Sequence, residues 1–482
     1  MSGTTERVRG DRIPIGMMII LASLVFATLR QGGYYLWQHQ VFVALFGLGV
    51  VALARCLSLE GVKTVAAIVL PLVLSSVVST ALADDRSNAM STFVLVGLVG
   101  LAMLAGRVVG ARHHETTTIP ALVGIAFIVA GSAIWGVSFQ TAPWGRITEG
   151  VWRGSSVLTY ANASAGVLGP VTLLAMTKAA NQDSRLYAAA GTFTAIGLVS
   201  TQSRGGALAF VLAGVLVLVH LRPRQFAATT IPMLVGISIG APMLVMRARD
   251  AVEPAGPLAI VLALAGVGAT VLCWPHRSRL PKPHVLLFAG APIGAIAVSL
   301  SGLAGSISPR LTLRSGTTSG GEDANVLLGD RAKTWEVAWG QFSERPLFGH
   351  GPGEVELRWV EQGRGFRAMF VHNEYLEFGV THGVVGLAAL VVSVGMFIHF
   401  ARLSKTTIPL FIALVNFLVH SAFDFLWQIP MLPVFFASVA GVAVGLSAHL
   451  SPATSRYSIK TSTPGNVPPI GPVPERDRIA VN

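Results

Sequence analysis

Long apolar runs separated by short polar gaps dominate the chain, and few stretches carry the alternation of a half-buried soluble element. Runs of roughly 17–25 apolar residues match the length at which a helix crosses about 30 Å of hydrocarbon. Such runs lie near 14–30, 37–56, 62–82, 90–109, 119–138, 159–179, 185–202, 205–221, 227–246, 257–274, 284–304, 372–399, 406–424 and 430–449. They predict an all-α integral membrane protein, a polytopic bundle of about 12–14 transmembrane helices. The first run follows Arg7, Arg9 and Arg12 as the core of a signal peptide would. The many similar runs behind it predict a retained span instead. Several runs are rich in glycine and alanine, which lets helices approach closely in lipid.

Two polar segments, 139–158 and 305–370, are too long to be simple turns. In the second, Trp335, Ala338, Trp339 and Phe342 recur at helical spacing, with Asp330 placed to cap the helix and Pro346 to end it. Gly349-His350-Gly351-Pro352-Gly353 predicts a turn, and a second short helix is expected through Trp359. Amphipathic helices carrying exposed tryptophans suit a membrane interface. From Ser451 onward, 32 residues hold six prolines and no apolar period, so a disordered tail is expected.

Composition sharpens this picture. The 482 residues are 52% hydrophobic and 12% charged, with a mean hydropathy of +0.64. A soluble domain carries about 25% charged residues. The net charge of +12 would suggest nucleic acid as the partner of a soluble protein. Here the basic residues collect in alternate gaps: Arg55/Lys63, Arg107/Arg112, Lys178/Arg185, Arg222/Arg224, Arg277/Arg279/Lys282 and Arg402/Lys405. The positive-inside rule puts those gaps and both termini in the cytoplasm, with the two long segments outside. The opposite gaps carry little net charge, as at Asp84-Asp85-Arg86 or where Asp250/Glu253 balance Arg247/Arg249. The 305–370 segment itself has eight basic and eight acidic residues. Cys56 and Cys273 lie far apart and show neither metal spacing nor a disulfide framework.

The polar residues with chemical potential gather at the outer ends of runs. Ser203-Arg204-Gly205-Gly206 joins two runs. Arg204 reads either as an interfacial anchor or, with two glycines opening the backbone beside it, as a bidentate grip on phosphate oxygens. Arg331 and Trp335 are four apart and share a helix face, as a cation–π pair or as part of a site. Arg146 lies in the shorter loop. His372-Asn373-Glu374-Tyr375-Leu376 opens the run after the long loop. At a helix N-terminus, a histidine with an unperturbed pKa near 6.5 tends toward its neutral form and can act as a general base. It can equally be a histidine that merely wets a helix end. His420 and Asp424, also four apart, are placed to orient one another or to cap a helix. Asn162-Ala163-Ser164 matches a glycosylation sequon, but it opens an apolar run. An ion-coupled transporter or a flippase would place polar groups near the bilayer midplane, where this chain has few.

Taken together, three groups of residues resemble the O-antigen ligase and polymerase superfamily of bacterial membrane glycosyltransferases. They are Tyr160-Ala161-Asn162-Ala163-Ser164-Ala165-Gly166 with Thr201-Gln202-Ser203-Arg204-Gly205-Gly206; Arg331 and Trp335 leading through Pro346-Leu347-Phe348-Gly349-His350-Gly351-Pro352-Gly353 to His372-Asn373-Glu374-Tyr375-Leu376; and His420-Ser421-Ala422-Phe423-Asp424. The resemblance covers about residues 140–430. It implies N-terminal membrane helices over 1–138, a ligase-like catalytic membrane domain over 139–450 that includes the periplasmic loop 305–370, and a cytoplasmic tail over 451–482. It further implies glycan transfer in the bacterial inner membrane from an undecaprenyl-diphosphate-linked donor. The acceptor would be a lipid A–core hydroxyl, or the growing polysaccharide in a polymerase of O-antigen, capsule or exopolysaccharide. No metal or other cofactor and no nucleic acid is implied. His372 would be the base and Arg204 and Arg331 the diphosphate contacts. Arg146, Asn162, Trp335, His350, Asn373, Tyr375, His420 and Asp424 would support them.

Overall fold

The computed structural model describes residues 14–448 except 84–88, 113–114, 149, 251, 280–330, 354 and 362–363. The expected span at 284–304, the Asp330 cap, Asp84-Asp85-Arg86, Arg7, Arg9 and Arg12, Lys282 and the tail from Ser451 lie outside these residues.

The described residues form an all-α polytopic bundle. Its helices are α1 (Ile15–Leu29), α2 (Leu36–Ala52), α3 (Leu59–Leu82), α4 (Ala89–Ala111), α5 (Glu115–Ser138), α6 (Ala161–Gln182), α7 (Arg185–Thr201), α8 (Arg204–His220), α9 (Pro223–Gly240), α10 (Pro242–Met246), α11 (Pro257–Cys273), α12 (Arg331–Glu344), α13 (Glu374–Phe400), α14 (Ile408–Ser421) and α15 (Met431–Ala448). Seven of the described helices are long and apolar enough to cross a membrane: α3 to α6, α11, α13 and α15. Each expected run within the described residues coincides with a helix.

Close helix packing is built on missing side chains. Gly106 and Gly110 of α4 face Gly441 and Gly445 of α15; a Cβ on Gly441 would stand 2.0 Å from the Met103 carbonyl oxygen. Here glycine lets two backbones touch, which substitutes for the hydrophobic driving force that lipid removes. α6 is the central element, buried from Ala161 to Ala179. It runs from the candidate site to an opposite end, where Arg277 pairs with Asp183 and Asn181 Nδ2 donates to the Lys405 carbonyl.

The described parts of the two long polar segments fold as small units. Residues 139–158 contain an antiparallel hairpin, β1 (Gly145–Thr148) with β2 (Val151–Gly154), and 331–373 contain α12 and a second hairpin, β3 (Leu357–Glu361) with β4 (Arg364–Ala368). The second hairpin replaces the short helix expected through Trp359. Leu357 is fully buried and Arg358 exposed, a two-residue period that a helix cannot satisfy. Trp335, Ala338 and Phe342 do line the inner face of α12, packing with Val355, Leu357 and Val371. Trp339 turns outward and is 61% exposed.

α13 is interrupted. Gly383 has φ +67°, and Pro346–Gly351 docks into the break. Val384 and Val385 N–H donate to the Pro346 and Leu347 carbonyls at 2.8 and 3.1 Å, while His350 and Gly351 N–H donate to Val380 and Thr381 carbonyls at 2.9 and 3.0 Å. Ser79 of α3 donates to the Thr381 carbonyl at 2.6 Å. A backbone broken within a bundle must have its polar groups satisfied, and this segment satisfies them.

Candidate active site

The site forms where the starts of α6, α8 and α12 meet the turns that precede α13 and follow α14. Its hub is Asp424, 1% exposed, three residues past the end of α14. Tyr160, which precedes α6, donates its hydroxyl to Oδ1 at 2.6 Å. Arg331 Nη2, from the first residue of α12, donates to Oδ2 at 2.9 Å, and the Asn162 side-chain amide donates to the same oxygen. His372 Nδ1 lies 3.5 Å from Oδ1, an ion-pair distance that is long for a hydrogen bond. Burial alone would raise the Asp424 carboxyl. The His372 imidazole, the Arg331 guanidinium and the Tyr160 hydroxyl outweigh it and hold the group below the ordinary carboxylate range. Burial first, then the Asp424 charge, pushes the Tyr160 phenol well above its ordinary value, so it remains a neutral donor.

His372 sits on a turn rather than on the helix, with φ +56°. Asn373 is the cap of α13, its Oδ1 accepting from Tyr375 and Leu376 N–H at 3.1 Å each. His372 therefore precedes both the cap and the helical backbone of α13. The imidazole meets the edge of Phe425 at 4.9 Å and keeps its side chain 30% exposed. Phe425 is stacked between Tyr160 at 4.8 Å and Phe370 at 4.2 Å.

Arg204 opens α8, half-buried, behind the Ser203 cap that accepts from Gly206 N–H at 3.0 Å. A Cβ on Gly205 would stand 3.1 Å from Phe423 Cβ and 3.4 Å from His420 Cδ2. The glycines thus let the first turn of α8 lie against the residues immediately before Asp424. Arg153, a residue of β2 that its sequence surroundings do not mark out, is only 8% exposed. Its Nη2 donates to Asn162 Oδ1 at 2.7 Å and its Nε to the Thr201 carbonyl at 3.0 Å. Asn162 therefore links Arg153 to Asp424, a buried role for an asparagine whose sequon is incidental. Arg153 pairs in register with Arg146, which is exposed and reaches the Thr159 carbonyl at 3.5 Å, at the rim.

Several expected pairings do not form. His420 and Asp424 share no helix face because α14 ends at Ser421; neither ring nitrogen of buried His420 has a hydrogen-bond partner among the described residues. Arg331 turns to Asp424, while Trp335 packs in the loop core. His350 points its Nε2 to the Gln341 carbonyl at 2.8 Å and is part of the docking segment. Tyr375 donates its hydroxyl to the Leu418 carbonyl at 2.8 Å. Among the described residues no group of three His, Cys, Asp or Glu is placed to hold a metal ion.

Beside the cluster lies an apolar cavity of about 1190 Å³, walled by α2, α3, α4, α13, α14 and α15. Phe370 forms part of its wall, so the Phe370–Phe425–Tyr160 stack joins the cavity to the polar hub.

Fold and site define a polytopic membrane protein with arginines and a histidine clustered about the buried Asp424 carboxylate at one end of the bundle. Residues 256–391 match the model of the O-antigen ligase family. The matched stretch includes Arg331 and His372; Arg153, Tyr160, Asn162, Arg204 and Asp424 come from outside it. The match supports glycan transfer of the ligase or polymerase type and lipid-linked glycan substrates in general. Among curated proteins none matches the chain.

Proposed function

We propose that this protein transfers a glycan from an undecaprenyl-diphosphate-linked donor to an acceptor hydroxyl of lipid A–core, at the periplasmic face of the bacterial inner membrane. The observation that carries the reading is the contact of His372 Nδ1 with the buried Asp424 carboxylate. A carboxylate opposite Nδ1 favours the tautomer protonated there, which leaves Nε2 with the lone pair. Nε2 accepts the proton of the acceptor hydroxyl as its oxygen bonds to the donor's anomeric carbon. The bond from that carbon to the diphosphate oxygen breaks, and undecaprenyl diphosphate departs with the electron pair. Arg204 and Arg331 offer guanidinium groups to the charge that develops on the leaving group. Asp424 stabilises the imidazolium formed. The adjoining apolar cavity suits an isoprenoid chain, with the diphosphate at its polar end.

The orientation, with both termini cytoplasmic and loop 305–370 periplasmic, rests on the basic residues gathered opposite the site. The test is transfer by purified protein supplied with defined carrier-linked glycan, chelator, and either lipid A–core or carrier-linked glycan as acceptor. Glycan joined to lipid A–core is the expected product. Chains lengthened only on the carrier would identify a polymerase, and movement of carrier lipid across vesicles without transfer would overturn the reading.

A further inference from the structure

Two glutamates on the first turn of α13, Glu374 and Glu377, are 2% and 4% exposed although they lie in a span. Each accepts from chain segments that carry the candidate chemistry. Glu377 Oε2 accepts from Val371 N–H at 3.1 Å, one residue before His372. Its other oxygen accepts from Gln428 Nε2 at 2.7 Å, four residues after Asp424. Glu374 accepts from Trp427 N–H. Tyr375, between them, holds the Leu418 carbonyl at 2.8 Å. One helical turn therefore grips the His372 turn on one side and the Asp424 turn on the other.

We propose that Glu374 and Glu377 are positioning residues that set the separation of His372 from Asp424 without touching substrate. The proposal rests on the functional reading above. A left-handed backbone at His372 and a carboxylate on a turn beyond a helix end are both conformations that need outside support. A carboxylate suits the task better than a hydroxyl or an amide, because its two oxygens accept at once from two different segments. Its burial is costly unless those acceptances are made, so the brace resists loosening. Sequence spacing accounts for both carboxylates: residues 374 and 377 are three apart and share a face.

The experiment compares Gln428→Met, Glu377→Gln and Glu377→Ala in the transfer assay, with carrier-diphosphate affinity measured in parallel. Gln428→Met cuts only the link to the Asp424 turn and leaves the Val371 contact intact. The expected result is a kcat about tenfold lower with KM for the donor and carrier affinity unchanged. Glu377→Gln, which keeps an oxygen for Val371 N–H and, with the Gln428 amide turned over to accept, a bond to Gln428 as well, is expected within about threefold of wild type, and Glu377→Ala about 100-fold lower in kcat. Unchanged kcat in Gln428→Met, or kcat and affinity falling together in both milder variants, overturns the proposal. If Glu377→Ala does not accumulate in the membrane, the two milder variants decide. A wild-type protein inactive in transfer sinks the functional reading itself; active wild type with unaffected variants sinks only the brace.

Discussion

His372 Nδ1 and Asp424 Oδ1 stand 3.5 Å apart across 52 residues of sequence, one on a left-handed turn and the other on a turn beyond a helix end. Neither group is on regular structure, yet Asp424 is tied by Tyr160, Asn162 and Arg331 as well. Two other parts of the chain, residues 160–162 and the start of α12, thus fix the carboxylate of the pair.

Asp424 makes the protein's stability depend on pH in a definite direction. Its carboxyl is held below the ordinary range in the folded state, so the stability it contributes is present above the unfolded value of about 3.9 and lost as pH falls through the folded one. The thermal unfolding midpoint in detergent should drop as the pH is lowered below about 4. Asp424→Asn should flatten that dependence and, by leaving Arg331 without its partner, cost about 3 kcal/mol at neutral pH. An unchanged midpoint in Asp424→Asn would contradict the assignment.

Tyr160→Phe separates the hydroxyl from the ring. The stack on Phe425 survives, while Asp424 loses a 2.6 Å donor. A hydrogen bond to a charged group contributes about 1.5–3 kcal/mol, so a stability loss of that size is expected. The transfer rate should fall about tenfold with donor KM little changed, measured by steady-state kinetics.

How much of this was legible in the sequence differs by element. Apolar run length located every helix that the structure describes among the expected spans, because in lipid the backbone must satisfy its own hydrogen bonds. The chemical groups at Arg204, His372 and Asp424 stand out, as polar or charged groups at the end of an apolar run are costly without a purpose, and Arg331 stands out through its helical spacing to Trp335. Their pairings do not. Periodicity pairs Arg331 with Trp335 and His420 with Asp424, both four apart; the Asp424 carboxylate draws Arg331 away from Trp335, and α14 ends between His420 and Asp424. Arg153 could not be singled out, since its value comes from Asn162 and Thr201, 9 and 48 residues away. The hairpin at 357–368 and the break at Gly383 depend on tertiary contacts, and His350 belongs to that break rather than to the site.

Gly383→Ala tests the interrupted helix. Its φ of +67° is unfavourable for alanine, and the new Cβ would meet the Leu347 carbonyl oxygen at 2.3 Å. A loss of more than about 2 kcal/mol is expected, read as a lower unfolding midpoint and reduced membrane abundance. Gly97, where a Cβ would meet nothing within 4 Å, is the control.

Arg204→Lys keeps the charge and removes the planar fork. Bidentate phosphate contacts do not survive that exchange, so kcat/KM for the diphosphate donor should fall at least about tenfold with the fold retained. Near-wild-type kinetics would reassign Arg204 to anchoring.

The central claim concerns proton transfer at His372. The most direct measurement is glycan transfer by purified His372→Ala and His372→Gln proteins, alongside their affinity for undecaprenyl diphosphate. Loss of transfer by at least about 100-fold, with carrier affinity unchanged, is the expected result. Transfer at the wild-type rate in either variant would contradict it.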